Sequence, residues 1–173
     1  KGSDYMAHNP SGYVPCLVMD GKSYAESMAI MEWLEETIPQ PSFFTGDVFM
    51  RAKIRQLAET INSGTQPLQN LDVVKRVSPD KAQRDEWTVH WIRRGMHAYE
   101  TILKEVRRKS YKFSVSDHPT IADFCLIPQC YAALRFGVSL DEFPACKEIY
   151  EFALKTPECQ AAHPDRFKPA DAT

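Results

Sequence analysis

The sequence predicts an α+β fold in two parts: a β-hairpin with one helix, then an all-α domain beyond a proline-marked linker. Three observations lead there. Residues 13 to 30, "YVPCLVMDGKSYAESMAI", hold two short β-rich runs around Asp20-Gly21, a strong two-residue hairpin signal. Pro39 and Pro41 close a helical stretch and open a linker. From Asp47 onward the apolar spacing is helical. With 173 residues, 43% hydrophobic and 25% charged, the chain is long enough to bury a real core.

Each element has a local reason. The opening "KGSDYMAHNP" is polar and is expected to be loop. Val14 to Met19 is expected to be a strand, with Lys22 to Ala25 returning. Ser27 is expected to cap a helix with Ile30, Met31, Leu34 and Ile38 on one side and Glu32, Glu35 and Glu36 on the other. Asp47 is the expected cap of a helix striped by Ile54, Leu57, Ala58 and Ile61, which "NSGTQP" interrupts. A second helical piece follows Pro67 to about Arg76. Ser78 with Pro79 reads as a cap and first helical residue of a long helix, its core stripe placed on Trp87, Trp91, Gly95, Ala98, Ile102 and Val106. Thr120 and Asp123 have capping-box spacing before a helix apolar nearly all round, expected at the centre of the domain and bent by Pro128. Gly137 ends that helix, and Ala145 to Leu154 form the last one.

The expected division is therefore residues 1–40, a linker over 41–46, and helices over 47–173. Two strands and one helix cannot close a stable core alone. Further strands are accordingly expected upstream of Lys1.

Composition narrows the function classes. A net charge of −2, with acidic residues interspersed among the basic ones of Arg93-Arg94 and Lys104 to Lys112, argues against a nucleic-acid footprint. The five cysteines are odd in number and lack any CxxC, and the five histidines lack metal spacing, so neither a disulfide framework nor a metal site is expected. No apolar run approaches membrane-spanning length, and the expected setting is cytosolic.

Some polar residues allow two readings. Val14-Pro15 is an ordinary edge proline by local sequence; a cis bond there would turn main-chain groups outward for an extended peptide. Ser27 needs no ligand as a cap, yet a helix tip suits a carboxylate and Glu26 beside it an ammonium group. Gln66 and Asn70, four apart, fit one helix face and a polar interhelical contact. Arg135, near the end of the central helix, needs a carboxylate partner or a wet mouth. Cys16 reads as a packed strand residue.

The stretch "NPSGYVPCLVMDGKSYAESMAIMEWLEETIP" resembles the second half of the thioredoxin-like domain of glutathione transferases. "SGTQPLQNLDVVKRV", "HPTIADFCLIPQCYAALRFGVSL" and "CQAAHPDRFKP" resemble the zeta class, which includes maleylacetoacetate and maleylpyruvate isomerases. The resemblance implies the glutathione-transferase fold, with glutathione as cofactor and a homodimer. Its reaction is cis–trans isomerisation of a dicarboxylic enone by thiolate addition, bond rotation and elimination, as in tyrosine and phenylalanine catabolism. It also implies site residues. Val14 would pair through its main chain with the cysteinyl unit of glutathione. Glu26 and Ser27 would grip the γ-glutamyl end. Gln66, Asn70 and Leu71 would join the pocket, with Asp72 at a position that is often serine. Arg135 would hold a substrate carboxylate. The family's Ser-Ser-Cys motif, which serves the thiolate, does not occur in the 173 residues. By the same resemblance about 45 residues are expected to precede Lys1. General transferases of α-haloacids and non-catalytic scaffolds share these motifs.

Overall fold

A computed structural model of the protein describes residues 3–168. They fall into two compact units, Lys1–Phe44 and Thr45–Thr173.

The first unit runs α1 (Ser3–His8), β1 (Cys16–Met19), β2 (Lys22–Ala25) and α2 (Ser27–Thr37). Helix α1 replaces the expected loop; the Asn9 N–H donates to the Tyr5 carbonyl and closes its last turn. The first strand starts at Cys16 rather than Val14, because Pro15 has no N–H to give to a ladder. The strands pair antiparallel in the register Cys16↔Ala25, Leu17↔Tyr24, Val18↔Ser23 and Met19↔Lys22. Asp20 and Gly21, with φ of 51° and 73°, make the turn whose twist matches such a hairpin. The Val14–Pro15 and Gln40–Pro41 peptides are cis. The Tyr24 ring stacks on Trp33 at 4.8 Å, tying β2 to α2. Among the described residues of this unit only Asn9, Gly12 and Phe44 are buried. The Glu35 carboxylate accepts from Ser42 Oγ and the Phe43 N–H, each at 2.6 Å, and so fixes the chain leaving α2.

The second unit is helical: α3 (Val48–Asn62), a 3₁₀ turn at Gln66–Gln69, α4 (Leu71–Val77), α5 (Lys81–Val106), α6 (Ile121–Arg135), α7 (Pro144–Ala153) and α8 (Pro157–Ala161). Asp47 caps α3 by accepting from the Met50 N–H, and Ile54, Leu57, Ala58 and Ile61 are all buried. The long helix departs from expectation at both its start and its stripe. Ser78 accepts from the Asp80 N–H within a turn built on Pro79, so Asp80 becomes the cap and accepts from the Gln83 N–H. The buried stripe is Thr88, Ile92, Gly95, Met96, Tyr99, Leu103 and Val106, while Ala98 is exposed and the two tryptophans are only half-buried. The two bulky indoles had drawn the expected stripe about one position off the real core face.

Both arms of the Thr120–Asp123 capping box form. Asp123 is fully buried and accepts four hydrogen bonds: from Ser114 N–H and Oγ, and from Thr120 N–H and Oγ1. Burial nonetheless pushes its carboxyl above the usual range. Helix α6 is buried through Ile121, Ala122, Asp123, Leu126, Gln129, Cys130 and Ala133, but Phe124 and Leu134 reach solvent, so its burial is not all round. Helix α7 is capped in trans: the buried Glu100 carboxylate of α5 accepts from the Ala145 and Cys146 N–H groups. No helix among the described residues is long and apolar enough to cross a membrane.

Candidate functional site

The hairpin end opposite its turn gathers three of the expected site residues. Continuing the register past Cys16↔Ala25 brings Val14 and the Glu26-Ser27 pair to the same end of the two strands. Val14 is 82% exposed, and neither its N–H nor its C=O makes a hydrogen bond among the described residues. Its main chain is a free strand edge one residue long.

Glu26 stands at φ 70°, ψ 120°, a conformation rarely adopted by residues with a side chain. An outlier of this kind persists only where surrounding structure fixes it, and such outliers cluster at ligand clamps. The bend also corrects an expectation. Glu26 occupies the cap position of α2 and Ser27 is the first helical residue, so Ser27 is not the cap; no side chain caps this helix. The tip of α2 therefore presents uncapped N–H groups, a hydroxyl and an exposed carboxylate together. That set suits a ligand carrying a carboxylate and an ammonium group on one carbon.

In the helical unit the segment carrying Gln66, Asn70, Leu71 and Asp72 is held by three anchors. Thr65 is fully buried against Gly95 of α5, where a Cβ would fall 1.9 Å from Thr65 Oγ1. The Trp87 Nε1–H donates to the Leu68 carbonyl at 2.9 Å. Gln69 Nε2 donates to Gln129 Oε1 of α6 at 3.0 Å, pairing two amides in a part-buried site. With the backbone so pinned, Gln66 and Asp72 are exposed, Asn70 is half-buried and Leu71 is 68% exposed.

Gln66 and Asn70 do not share a helix face. Gln66 begins the 3₁₀ turn, and Asn70 caps α4, its Oδ1 accepting from the Asp72 N–H at 2.9 Å. Pro67 favours the tight turn that separates them. The polar partner of α6 is instead Gln69, which the spacing argument missed although it lies in the same "QPLQNL" run.

Arg135 ends α6, six residues or about 9 Å of helix beyond Gln129. It is exposed, lies 5.9 Å from the Tyr131 ring, and makes no ion pair among the described residues. Tyr131 is itself held by its hydroxyl, which donates to Asp165 Oδ1 at 2.9 Å. An exposed guanidinium on an aromatic shelf is free to take a carboxylate from solution.

Three of the thiols are held protonated by burial. Cys130 and Cys146 are buried with pKa values raised by desolvation, and Cys125 is pushed up to about 12 by burial, with Glu59 and Asp123 adding to the shift. Cys16 packs half-buried on the hairpin, 3.8 Å from the His8 carbonyl.

Residues 1–37 match the family of glutathione S-transferase N-terminal domains. The chain is 43% identical over 162 residues to the probable maleylacetoacetate isomerase 2 of Drosophila melanogaster, covering 94% of this chain and 69% of that one. A crystal structure of maleylacetoacetate isomerase from Anaeromyxobacter dehalogenans, with glutathione in its active site, is 40% identical with a TM-score of 0.84, covering 98% of this chain and 79% of that one. The holo structure of a bacterial zeta-class maleyl pyruvate isomerase superposes with a TM-score of 0.91 at 31% identity, covering 99% and 82%. The free strand edge at Val14, the bent Glu26 before an uncapped helix and the pinned "QPLQNL" segment thus occur in a chain with the glutathione-transferase fold, and the protein belongs to the maleylacetoacetate isomerase family of zeta-class glutathione transferases.

Proposed function

We propose that the protein is a glutathione-dependent cis–trans isomerase that converts maleylacetoacetate to fumarylacetoacetate, a step of tyrosine and phenylalanine breakdown. The observation that carries this reading is the hairpin end. An unpaired main chain at Val14 stands at the same end of the hairpin as Glu26 and Ser27.

These residues fit glutathione group by group. Val14 pairs its N–H and C=O with the cysteinyl unit as a short added strand. Ser27 and the free N–H groups of the α2 tip hold the γ-glutamyl carboxylate, and Glu26 holds the ammonium beside it. Gln66, Asn70, Leu71 and Asp72 supply further contacts to the cofactor. When bound, glutathione supplies a thiolate that adds to the activated double bond, permits rotation and leaves again. Arg135 orients the enone by a substrate carboxylate and draws electron density away from the alkene. None of the five cysteines of this chain takes the thiolate's place.

Maleylpyruvate is a second reading of the substrate, favoured by the fit to the maleyl pyruvate isomerase structure. Both substrates present a maleyl group to Arg135. We place the protein in the cytoplasm as a homodimer. The test is conversion of each substrate by the purified full-length protein, with and without glutathione. Conversion of maleylacetoacetate only in the presence of glutathione is expected. Turnover without glutathione would overturn the cofactor's role, and preference for maleylpyruvate would reassign the substrate.

A further inference from the structure

We propose that Asn9 is a positioning residue for glutathione, holding the main chain of Val14 in the orientation that receives the cysteinyl unit. The inference rests on the glutathione reading above and adds to it a residue that touches no ligand. Asn9 is the one buried polar side chain among the described residues of the first unit, at 3% exposure. A buried amide in a unit with almost no core has to be satisfied by its own loop. It is, at both ends. The Asn9 Oδ1 accepts from the Ser11 N–H at 3.1 Å and from Ser11 Oγ at 2.9 Å. The Asn9 Nδ2 donates to the Tyr13 carbonyl at 2.6 Å.

That carbonyl belongs to the peptide whose other half is the Val14 N–H. Fixing one edge of a planar peptide fixes the other, so the direction of the Val14 N–H follows from the Asn9 bond. The Tyr5 hydroxyl donates to the same carbonyl, also at 2.6 Å, and closes the loop over Gly12 from the α1 side. Val14 itself has no partner to hold it, being 82% exposed. The loop from Asn9 to Tyr13 therefore presents the strand edge, and Asn9 is its keystone. The preorganisation lowers the cost of ordering this edge when ligand arrives.

The test is a cycle between protein and ligand, read by calorimetry. Asn9→Asp keeps the acceptor toward Ser11 but sets a carboxylate against the Tyr13 carbonyl. Glutathione is compared with an analogue whose cysteinyl carbonyl is reduced to a methylene, which cannot accept from the Val14 N–H. The expected result is a loss of glutathione affinity of tenfold or more in Asn9→Asp, with the analogue binding both proteins equally within about twofold. Equal losses for the two ligands would show a merely structural residue and overturn the proposal, as would unchanged glutathione binding. Tyr5→Phe removes the second donor without burying a charge. It is expected to show the same pattern at about two- to threefold, and it decides the matter should Asn9→Asp fail to fold. Failure of the unaltered protein to bind glutathione would instead remove the functional reading itself, and with it this one.

Discussion

The hairpin unit and the helical unit solve opposite problems with the same chain. In Thr45–Thr173 buried side chains line α3, α5, α6 and α7, and the buried carboxylates of Asp123 and Glu100 accept four and two hydrogen bonds. In Lys1–Phe44 no residue of α2 is buried, and order comes from turn chemistry, one ring stack and the Asn9 loop. The difference teaches where ligand chemistry can be kept. Unpaired main chain at Val14 and a bent Glu26 are tolerable where little packing depends on them. The helical unit instead pins its "QPLQNL" segment through the buried Thr65, the Leu68 carbonyl and the Gln69 amide. Substitutions in the two units should therefore separate into losses of stability and losses of binding.

Gly95→Ala should be the largest effect on stability. The new Cβ meets Thr65, which is fully buried, and the overpacking costs about 3 kcal/mol despite the gain of up to about 1 kcal/mol in helix propensity. Urea denaturation reads it directly, and an unchanged midpoint would break the claim that Thr65 anchors the "QPLQNL" segment.

Asp123→Ala follows. It leaves donors of Ser114 and Thr120 without their acceptor in a buried site and should cost about 3 kcal/mol, against well under 1 kcal/mol for an exposed carboxylate. Ser27→Ala sharpens the contrast from the other side. Glutathione affinity should fall about tenfold while the urea midpoint stays in place, because the hydroxyl caps nothing.

The smallest effect is a pH dependence. Donors from Lys147 and Ser139 hold the Asp141 carboxyl below its usual range. A lowered carboxyl contributes stability above its unfolded value, near 3.9, and that contribution is lost as pH falls through the folded value. Asp141→Asn should thus melt about a degree below the parent at neutral pH and coincide with it in strong acid, the pair being exposed and weak.

Legibility in the sequence followed the same division. Helix starts at Asp47 and Thr120 were readable because capping is local chemistry, and the Asp20-Gly21 turn because it needs two positive φ angles. The long helix was misphased because Trp87 and Trp91 are large and apolar yet sit at the edge of the core, where size misleads a periodicity count. Gly95 lay in that count without its meaning: a glycine amid a helical stripe signals close approach, and Thr65 is what approaches. At Val14, Glu26 and Ser27 the letters alone left an edge proline and a helix cap level with a ligand reading, and only the resemblance chose between them. The backbone of Glu26 has no signature in sequence at all; nothing in a glutamate announces a φ of 70°. Asn9 was hidden for a related reason, because Asn before a Ser-Gly turn is ordinary loop composition until its amide is seen to be buried.

The most direct test of the hairpin end as the glutathione site is an amide-resolved NMR titration of the protein with glutathione. Saturable shifts concentrated at the N–H groups of Val14, Glu26 and Ser27 are expected, with smaller ones through Tyr13. Saturable shifts confined to other residues, or none at all, would contradict it.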